Sequence, residues 1–175
     1  MKPEETVVEM FVGVDSRDWD KVKLCFEDQV LLDYSSMNGL PPAVVCAEEI
    51  IQSWKNALPL FKATHHQLGN MLSYVNQLEA TVFCYGTATH YLEHKDGNVW
   101  TVVGSYNFNL KETEGVWRIA RMKFNYKYQD GNTKLHEPLL MKRGGADSRS
   151  WFIGLGMGEA YPIIEHGGSF YSRKN

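Results

Sequence analysis

Four long segments in the second half of the chain alternate between apolar and polar residues with a period of two. They are separated by short turn-forming stretches, Asn76-Gln77, Asp96-Gly97-Asn98 and Glu114-Gly115. Such alternation is typical of strands, and connections this short join neighbouring strands as antiparallel hairpins. The sequence therefore predicts four consecutive antiparallel strands, at about 63–75, 79–94, 99–112 and 116–129.

The third and fourth segments divide their side chains between two faces. Every second position of the third is small or apolar: Val102, Gly104, Tyr106, Phe108 and Leu110. The positions between them include Ser105, Asn107 and Asn109, and in the fourth segment Ala120, Met122 and Phe124 oppose Arg121 and Lys123. Because successive side chains of a strand point to opposite faces, this pattern predicts a curved sheet with one buried, concave face.

Three helices are predicted ahead of these strands. Residues 4–14 carry an apolar stripe on which Asp15 also falls. A second helix is predicted to start at Ser16 or Asp18, with a buried face made by Trp19, Val22, Cys25 and Phe26. A third is predicted over about 46–58, with Pro59 as its stop. Helices followed by a strand meander predict an α+β domain over residues 1–132.

A short strand is predicted between the second and third helices. Val30, Leu32 and Tyr34 alternate there with polar residues such as Asp33. Tyr34 should therefore point to the same side as Val30 and Leu32.

Composition excludes several classes of protein. A net charge of −3, with scattered Lys and Arg, gives no basic field for nucleic acid. No apolar stretch reaches the roughly 18 residues that a membrane-spanning helix needs. The three widely spaced cysteines and an N-terminus without a secretion signal predict reduced thiols in a cytoplasmic protein. HExxH, CxxC and nucleotide-binding glycine motifs do not occur, so neither a metal nor a cofactor is predicted.

Two histidines are candidates for acid/base chemistry. His66 shares its parity with Leu68 and Asn70, whereas His65 must face the opposite side. His90 lies on the same face of its strand as a row of small or apolar residues, Val82, Cys84, Gly86 and Ala88. These side chains leave space in front of the His90 ring. A neutral imidazole can accept or donate a proton near pH 7. A carboxylate such as Asp15 can fix the tautomer of that imidazole. A tyrosine such as Tyr34 can donate a hydrogen bond to a substrate carbonyl.

Each of these residues also has a structural explanation. A buried histidine is more often a satisfied core residue than a catalyst, and Asp15 could cap the helix that follows it. The presence of all four residues favours an enzyme, because a domain has little reason to bury four polar, titratable side chains around a single cavity. A non-catalytic ligand-binding module remains the alternative from another class.

Five short strings in this chain resemble those of scytalone dehydratase and its relatives in the SnoaL-like group of the NTF2-like superfamily. They are Asp15-Ser-Arg-Asp-Trp19, Leu32-Asp-Tyr34, Thr64-His-His-Gln-Leu-Gly-Asn70, Thr89-His90 and Gly115-Val-Trp117. The resemblance spans roughly residues 5–132. It implies a cone-shaped barrel made by three N-terminal helices and a curved antiparallel sheet around a pocket.

The resemblance also implies catalytic roles for Asp15, Tyr34, His66 and His90. These enzymes eliminate water from a polyketide-derived hydroxyketone without metal or organic cofactor. Carried over, His66 would remove the proton beside a ketone, Tyr34 would hold the carbonyl, and Asp15 would orient His90, which would help the hydroxyl leave. Relatives catalyse cyclisation, isomerisation or pericyclic steps, which remain alternatives to dehydration.

The chain departs from the family pattern at three positions. Val14 stands where a second tyrosine is expected, and Gly104 and Tyr106 replace a Ser and an Asn. These differences argue against scytalone as the substrate and favour another hydrophobic polyketide- or meroterpenoid-like ketone, held by Asn70, Tyr106, Phe108, Met122 and Phe124.

Two further expectations concern assembly and the end of the chain. The family forms small homo-oligomers, so a homodimer or homotrimer is expected. Residues 133–175 combine many glycines with large apolar side chains. They are interpreted as a C-terminal extension over the mouth of the pocket or, alternatively, as a disordered tail.

Overall fold

The four predicted hairpin strands form one side of the computed structural model, which describes residues 1–136. The helices are α1 (Pro3–Ser16), α2 (Trp19–Leu24), α3 (Ser35–Asn38) and α4 (Ala47–Ala57), with 3-10 helices at Leu58–Leu60 and Thr133–His136. The strands are β1 (Phe26–Asp33), β2 (Ala43–Cys46), β3 (Ala63–Asn76), β4 (Glu79–Tyr91), β5 (Val99–Thr113) and β6 (Val116–Gly131). The predicted α+β class is confirmed.

All six strands belong to one sheet, in the order β2-β1-β6-β5-β4-β3. The consecutive antiparallel pairing of β3 to β6 is confirmed. Strand β1, however, pairs with β6 in parallel and with β2 antiparallel, so the sheet is mixed. Strand β2 and the parallel pairing had no signal in the sequence, because β2 is only four residues long and pairing between distant strands is a tertiary property.

The end of β1 differs from the prediction. The strand ends at Asp33, and Tyr34 is the residue before the short α3. Asp33 is buried, with 3% of its surface exposed. It accepts hydrogen bonds from the backbone N–H and the hydroxyl of Ser35, and its Oδ2 lies 3.5 Å from Nζ of Lys123. These partners offset the cost of burying a carboxylate.

The three predicted helices are present and close one side of the sheet. Helix α1 ends at Ser16 and is followed by its C-cap Arg17, whose φ of 61° is left-handed. The N-cap of α2 is Asp18, whose side chain accepts from the backbone N–H of Lys21. Helix α2 is shorter than expected, because Phe26 already starts β1. The core between helices and sheet is made chiefly by Val7, Met10, Phe11, Ile50, Ile51, Trp54, Phe108, Leu110 and Met122.

A bulge in β6 corrects one predicted core residue. Leu110 pairs with Ile119 and Asn109 pairs with Arg121, which leaves Ala120 unpaired between them. Ile119 is fully buried, whereas Ala120 is only partly buried. The extra residue shifts the alternation by one position, so the parity of Met122 and Phe124 cannot be extended back to Ala120.

The predicted C-terminal extension lies outside the described residues, apart from the 3-10 helix Thr133–His136, whose Leu135 is buried. No helix among residues 1–136 is long and apolar enough to cross a membrane.

Candidate active site

A small aromatic cavity lies between the helices and the concave face of the sheet. Its volume is about 50 Å³. It is lined by residues from α1, α4, the 3-10 helix Leu58–Leu60 and β3 to β6, together with Tyr34 and Met37 at α3. They are Phe11, Val14, Tyr34, Met37, Trp54, Leu58, His66, Ala88, His90, Trp100, Val102, Tyr106, Met122 and Phe124. No Lys, Arg, Asp or Glu of the described residues is among them, so the cavity suits an uncharged ligand.

His66 and Asp15 form a hydrogen-bonded pair at one wall of this cavity. Nδ1 of His66 lies 2.7 Å from Oδ1 of Asp15, and the backbone N–H of His66 donates to Oδ2 at 2.6 Å. The hydroxyl of Thr64 donates to Oδ1 at 2.9 Å. His65 is exposed on the opposite face, as its parity predicts.

These bonds determine which nitrogen of His66 carries the proton. Burial acts to raise the pKa of the Asp15 carboxyl, but the hydrogen bonds and charge interaction with His66, and the bond from Thr64, outweigh it and lower that pKa. Asp15 is therefore ionised and can only accept, so Nδ1 of His66 must be protonated. The lone pair on Nε2 is then available as a base.

The predicted pair of Asp15 with His90 is wrong, because the carboxylate bonds to His66 instead. The ring of His90 lies between Trp100, with ring centroids 4.5 Å apart, and Phe61, at 4.8 Å. Its centroid is 6.4 Å from that of His66. His90 is 4% exposed, and its Nδ1 has no hydrogen-bond partner among residues 1–136.

His90 is a neutral imidazole over the ordinary pH range. Burial, followed by the nearby His66, lowers its pKa to about 3, against smaller opposite effects of a backbone hydrogen bond at Trp100 and of Asp15. The cavity thus contains two histidines of different chemistry. One is held by a carboxylate and the other is surrounded by aromatic rings, so His90 can offer a neutral hydrogen bond but not an imidazolium proton.

Two tyrosines also line the cavity. Burial raises the pKa of both Tyr34 and Tyr106 above the ordinary value, so both phenols remain protonated hydrogen-bond donors. The ring of Tyr34 packs on Phe124 with centroids 5.8 Å apart, and that of Tyr106 packs on Phe124 at 4.8 Å.

Two of the predicted substrate-binding residues do not reach the cavity. Tyr106, Met122 and Phe124 line it as predicted. Phe108 lies behind Tyr106, with the rings stacked at 5.7 Å, and is 1% exposed. Asn70 is exposed, with a φ of 49°, next to the register shift between Gly69 and Leu72. That irregularity ends the alternation on which the Asn70 prediction depended.

Several residues of the site are not among those predicted from the sequence. Trp100 shares its parity with Val102 and could have been found by extending the strand pattern by one step. Thr64 has the parity of His66 in the same way. Trp54 falls within the helix predicted over about 46–58, where its spacing indicates only a core position. Met37 had no signal, because the four-residue α3 lacks a periodic pattern.

Gly86 makes room for a ring of the cavity wall. A Cβ there would lie 2.9 Å from Cδ2 of Tyr106 and still closer to Cε2. Phe11, Phe108 and Phe124 pack against that ring, so it has little room to move aside. Gly86→Ala should therefore lower the free energy of unfolding by about 1–3 kcal/mol, measured by urea denaturation.

Gly69→Ala is the matched control, because no atom lies within 4 Å of a Cβ at that position. Its effect should stay within about 0.5 kcal/mol, as is usual for surface substitutions. Equal effects of the two substitutions would contradict the close packing of Tyr106 against Gly86.

The sequence profile of the SnoaL-like domain family matches residues 4–123, more than half of the chain. Among curated proteins, none matches at a significant level.

Solved structures share the fold at low sequence identity. The Kfla4162 protein from Kribbella flavida is 24% identical, with a TM-score of 0.70 over 76% of this chain and 93% of that one. A candidate scytalone dehydratase from Novosphingobium aromaticivorans is 16% identical, with a TM-score of 0.61 over 74% and 84%. Hexachlorocyclohexane dehydrochlorinase LinA-type3 from Novosphingobium barchaimii LL02 is 13% identical, with a TM-score of 0.60 over 74% and 87%. The predicted cone-shaped NTF2-like fold is confirmed.

Proposed function

The chain belongs to the SnoaL-like domain family, and from this membership we propose that it is a cofactor-independent lyase that eliminates water from an uncharged cyclic hydroxyketone. The observation that carries the proposal is the pairing of His66 with an ionised Asp15 in a cavity of apolar side chains. The candidate scytalone dehydratase and the LinA dehydrochlorinase, which share the fold, are both named for eliminations.

His66 is the base of the proposed reaction. Its Nε2 removes a proton from the carbon beside the substrate carbonyl, and Asp15 stabilises the imidazolium that forms. The electron pair of the broken C–H bond passes through an enolate into a new C=C bond, while the bond to the hydroxyl on the next carbon breaks. The leaving hydroxide takes the proton from His66, so the products are the unsaturated ketone and water.

Tyr34 and His90 stabilise the charges that develop in this scheme. The protonated phenol of Tyr34 donates to the carbonyl oxygen and strengthens that bond as the enolate forms. The neutral ring of His90, whose Nδ1 is unpartnered among the described residues, hydrogen-bonds to the departing hydroxyl. The proton for that hydroxyl comes from His66, since His90 is too weak a base to carry one.

The cavity limits the substrate in charge and in size. It contains no charged partner for a carboxylate or phosphate among the described residues, which supports a neutral polyketide- or meroterpenoid-like ketone. A volume of about 50 Å³ is small for a cyclic ligand, since ligand pockets usually measure roughly 300–1,000 Å³. Binding therefore requires the wall to move, and Tyr34 and Met37 at the short α3 are partly buried residues of that wall.

A cyclase or isomerase that uses the same cavity is the second candidate. The aromatic lining from Phe11, Trp54, Trp100, Tyr106 and Phe124 favours it, because stacked rings can hold a reactive intermediate in one folded shape. In that case the apolar residues would matter more than His66. Phe124→Ala would then lower the rate more than His66→Ala does.

Mass spectrometry of products distinguishes these functions. Purified protein is incubated with a panel of hydroxylated polyketide and meroterpenoid ketones, alongside His66→Ala. A product lighter by one water, formed only when His66 is present, is the expected result. A product of unchanged mass but new retention would assign a cyclase or isomerase instead. Binding of panel members without turnover would contradict the enzyme and support a ligand-binding module.

A further inference from the structure

Arg17 joins three elements at the edge of the active site. Its Nη1 donates to the carbonyl of Val14 at 2.7 Å and to the hydroxyl of Thr64 at 2.8 Å. Its Nη2 donates to the carbonyl of Leu58 at 3.2 Å. The guanidinium therefore connects the end of α1, the 3-10 helix after α4 and strand β3, while it does not itself line the cavity.

These bonds also orient the hydroxyl of Thr64. A guanidinium has only donors, so Thr64 accepts from Arg17, and the single proton of its hydroxyl is left to donate elsewhere. Oδ1 of Asp15 lies 2.9 Å away and receives it. Thr64 is 8% exposed, so solvent competes little for this proton.

Asp15 consequently has donors on both oxygens. Thr64 and Nδ1 of His66 bond to Oδ1, and the backbone N–H of His66 bonds to Oδ2. The carboxylate cannot rotate without breaking at least one of these bonds. Arg17 thus donates to Thr64, and Thr64 donates to Asp15. Asp15 also accepts a hydrogen bond from the protonated Nδ1 of His66.

We propose that Arg17 is a positioning residue of the active site, which acts through the hydroxyl of Thr64 to hold the Asp15 carboxylate and thereby the Nδ1-protonated form of His66. The effect on turnover rests on the proposed function, whereas the effect on the His66 ring does not and is measured without substrate. The hydroxyl of Thr64 bonds to both Arg17 and Asp15.

Two pairs of substitutions separate this role from simple support of the fold. Thr64→Val keeps the shape and removes the hydroxyl, whereas Thr64→Ser keeps the hydroxyl. Arg17→Gln removes the cation and most donors, whereas Arg17→Lys keeps a positive charge and its donors. Arg121→Gln is the control, since Arg121 lies near Asp33 and away from the cavity.

The first measurement is the nitrogen-15 NMR spectrum of the histidine rings in the full chain at neutral pH. Wild type, Thr64→Ser and Arg121→Gln should show Nδ1-protonated His66. Thr64→Val and Arg17→Gln should show a mixture with the Nε2-protonated form, and Arg17→Lys should restore most of the wild-type signal. A wild-type signal in folded Thr64→Val would overturn the proposal, even if Arg17→Gln fails to fold.

The second measurement is steady-state kinetics on whichever substrate the product screen identifies. Because neither residue lines the cavity, KM should stay within about twofold while kcat falls about 10- to 100-fold in Thr64→Val and Arg17→Gln. A lower melting temperature with unchanged kcat and ring signal would show that both residues are merely structural. If no substrate is found, the proposed function fails while the NMR result still decides the positioning role.

Discussion

Replacing His66 with Gln should lower kcat by about 10²–10⁴-fold, the range in which a positioned general base contributes to catalysis. Glutamine can keep a hydrogen bond to Asp15 but has no basic nitrogen with which to remove a proton. Asp15→Asn should give a loss of similar size, because an amide can donate to Nδ1 and so leave the proton on the wrong nitrogen of His66. Both losses are measured as kcat on the substrate that the wild type dehydrates.

The neighbouring histidine provides the control for this experiment. His65 is exposed on the outer face of β3 and bonds to nothing in the cavity. His65→Gln makes the same chemical change one position away and should leave kcat within about twofold of wild type, as for surface substitutions in general. Circular dichroism confirms that each variant is folded. A folded His66→Gln that retains full turnover would disprove the histidine base.

Acidification should destabilise the protein through His90. The folded pKa of this group is lowered to about 3 from the ordinary 6.5. Between these two pKa values the His90 imidazole is protonated in the unfolded chain but neutral in the folded protein. The free energy of unfolding therefore decreases as the pH falls from about 6.5 toward about 3. The full difference corresponds to about 5 kcal/mol, of which about 3 kcal/mol should be lost between pH 7 and 4.5.

Urea denaturation of the wild type and His90→Phe at several pH values measures this effect. Phenylalanine keeps an aromatic ring between Phe61 and Trp100 but cannot be protonated, so the variant should lose markedly less stability between pH 7 and 4.5. The pKa of Asp15 is also lowered, yet its contribution is lost only as the pH falls below its ordinary value of 3.8, so it does not obscure the comparison. His65→Gln should keep the wild-type dependence of unfolding free energy on pH. If the wild type and His90→Phe gave parallel curves of unfolding free energy against pH, a neutral, buried His90 would be contradicted.

Both predictions follow from one difference between the two histidines. His66 has a carboxylate on Nδ1, which suits it to hold a proton during the reaction. The ring of His90 lies between the rings of Phe61 and Trp100, and burial makes its charged form unfavourable despite smaller opposite effects of a backbone hydrogen bond at Trp100 and of Asp15. Pairs of titratable groups with separate environments are the usual way in which one cavity provides different acid/base roles.

The alternation of β3 to β6 could be predicted because it is a local property of the backbone. His66, His90, Tyr106, Met122 and Phe124 reach the cavity for that reason. The alternation is lost wherever the backbone departs from regular strand geometry. The bulge at Ala120 and the register shift after Gly69 each displace the pattern, and a bulge has no reliable signal in a single sequence.

The sequence by itself determined the class of fold, the hairpin order and which of two adjacent histidines faces inward, since a period of two follows from the pleat of each strand. Only the tertiary structure decided that Asp15 holds His66 rather than His90. That choice depends on where the end of α1 crosses the sheet, beside β3, where Arg17 bonds to Thr64 and to the 3-10 helix. Such contacts join residues far apart in the chain, and no local pattern records them.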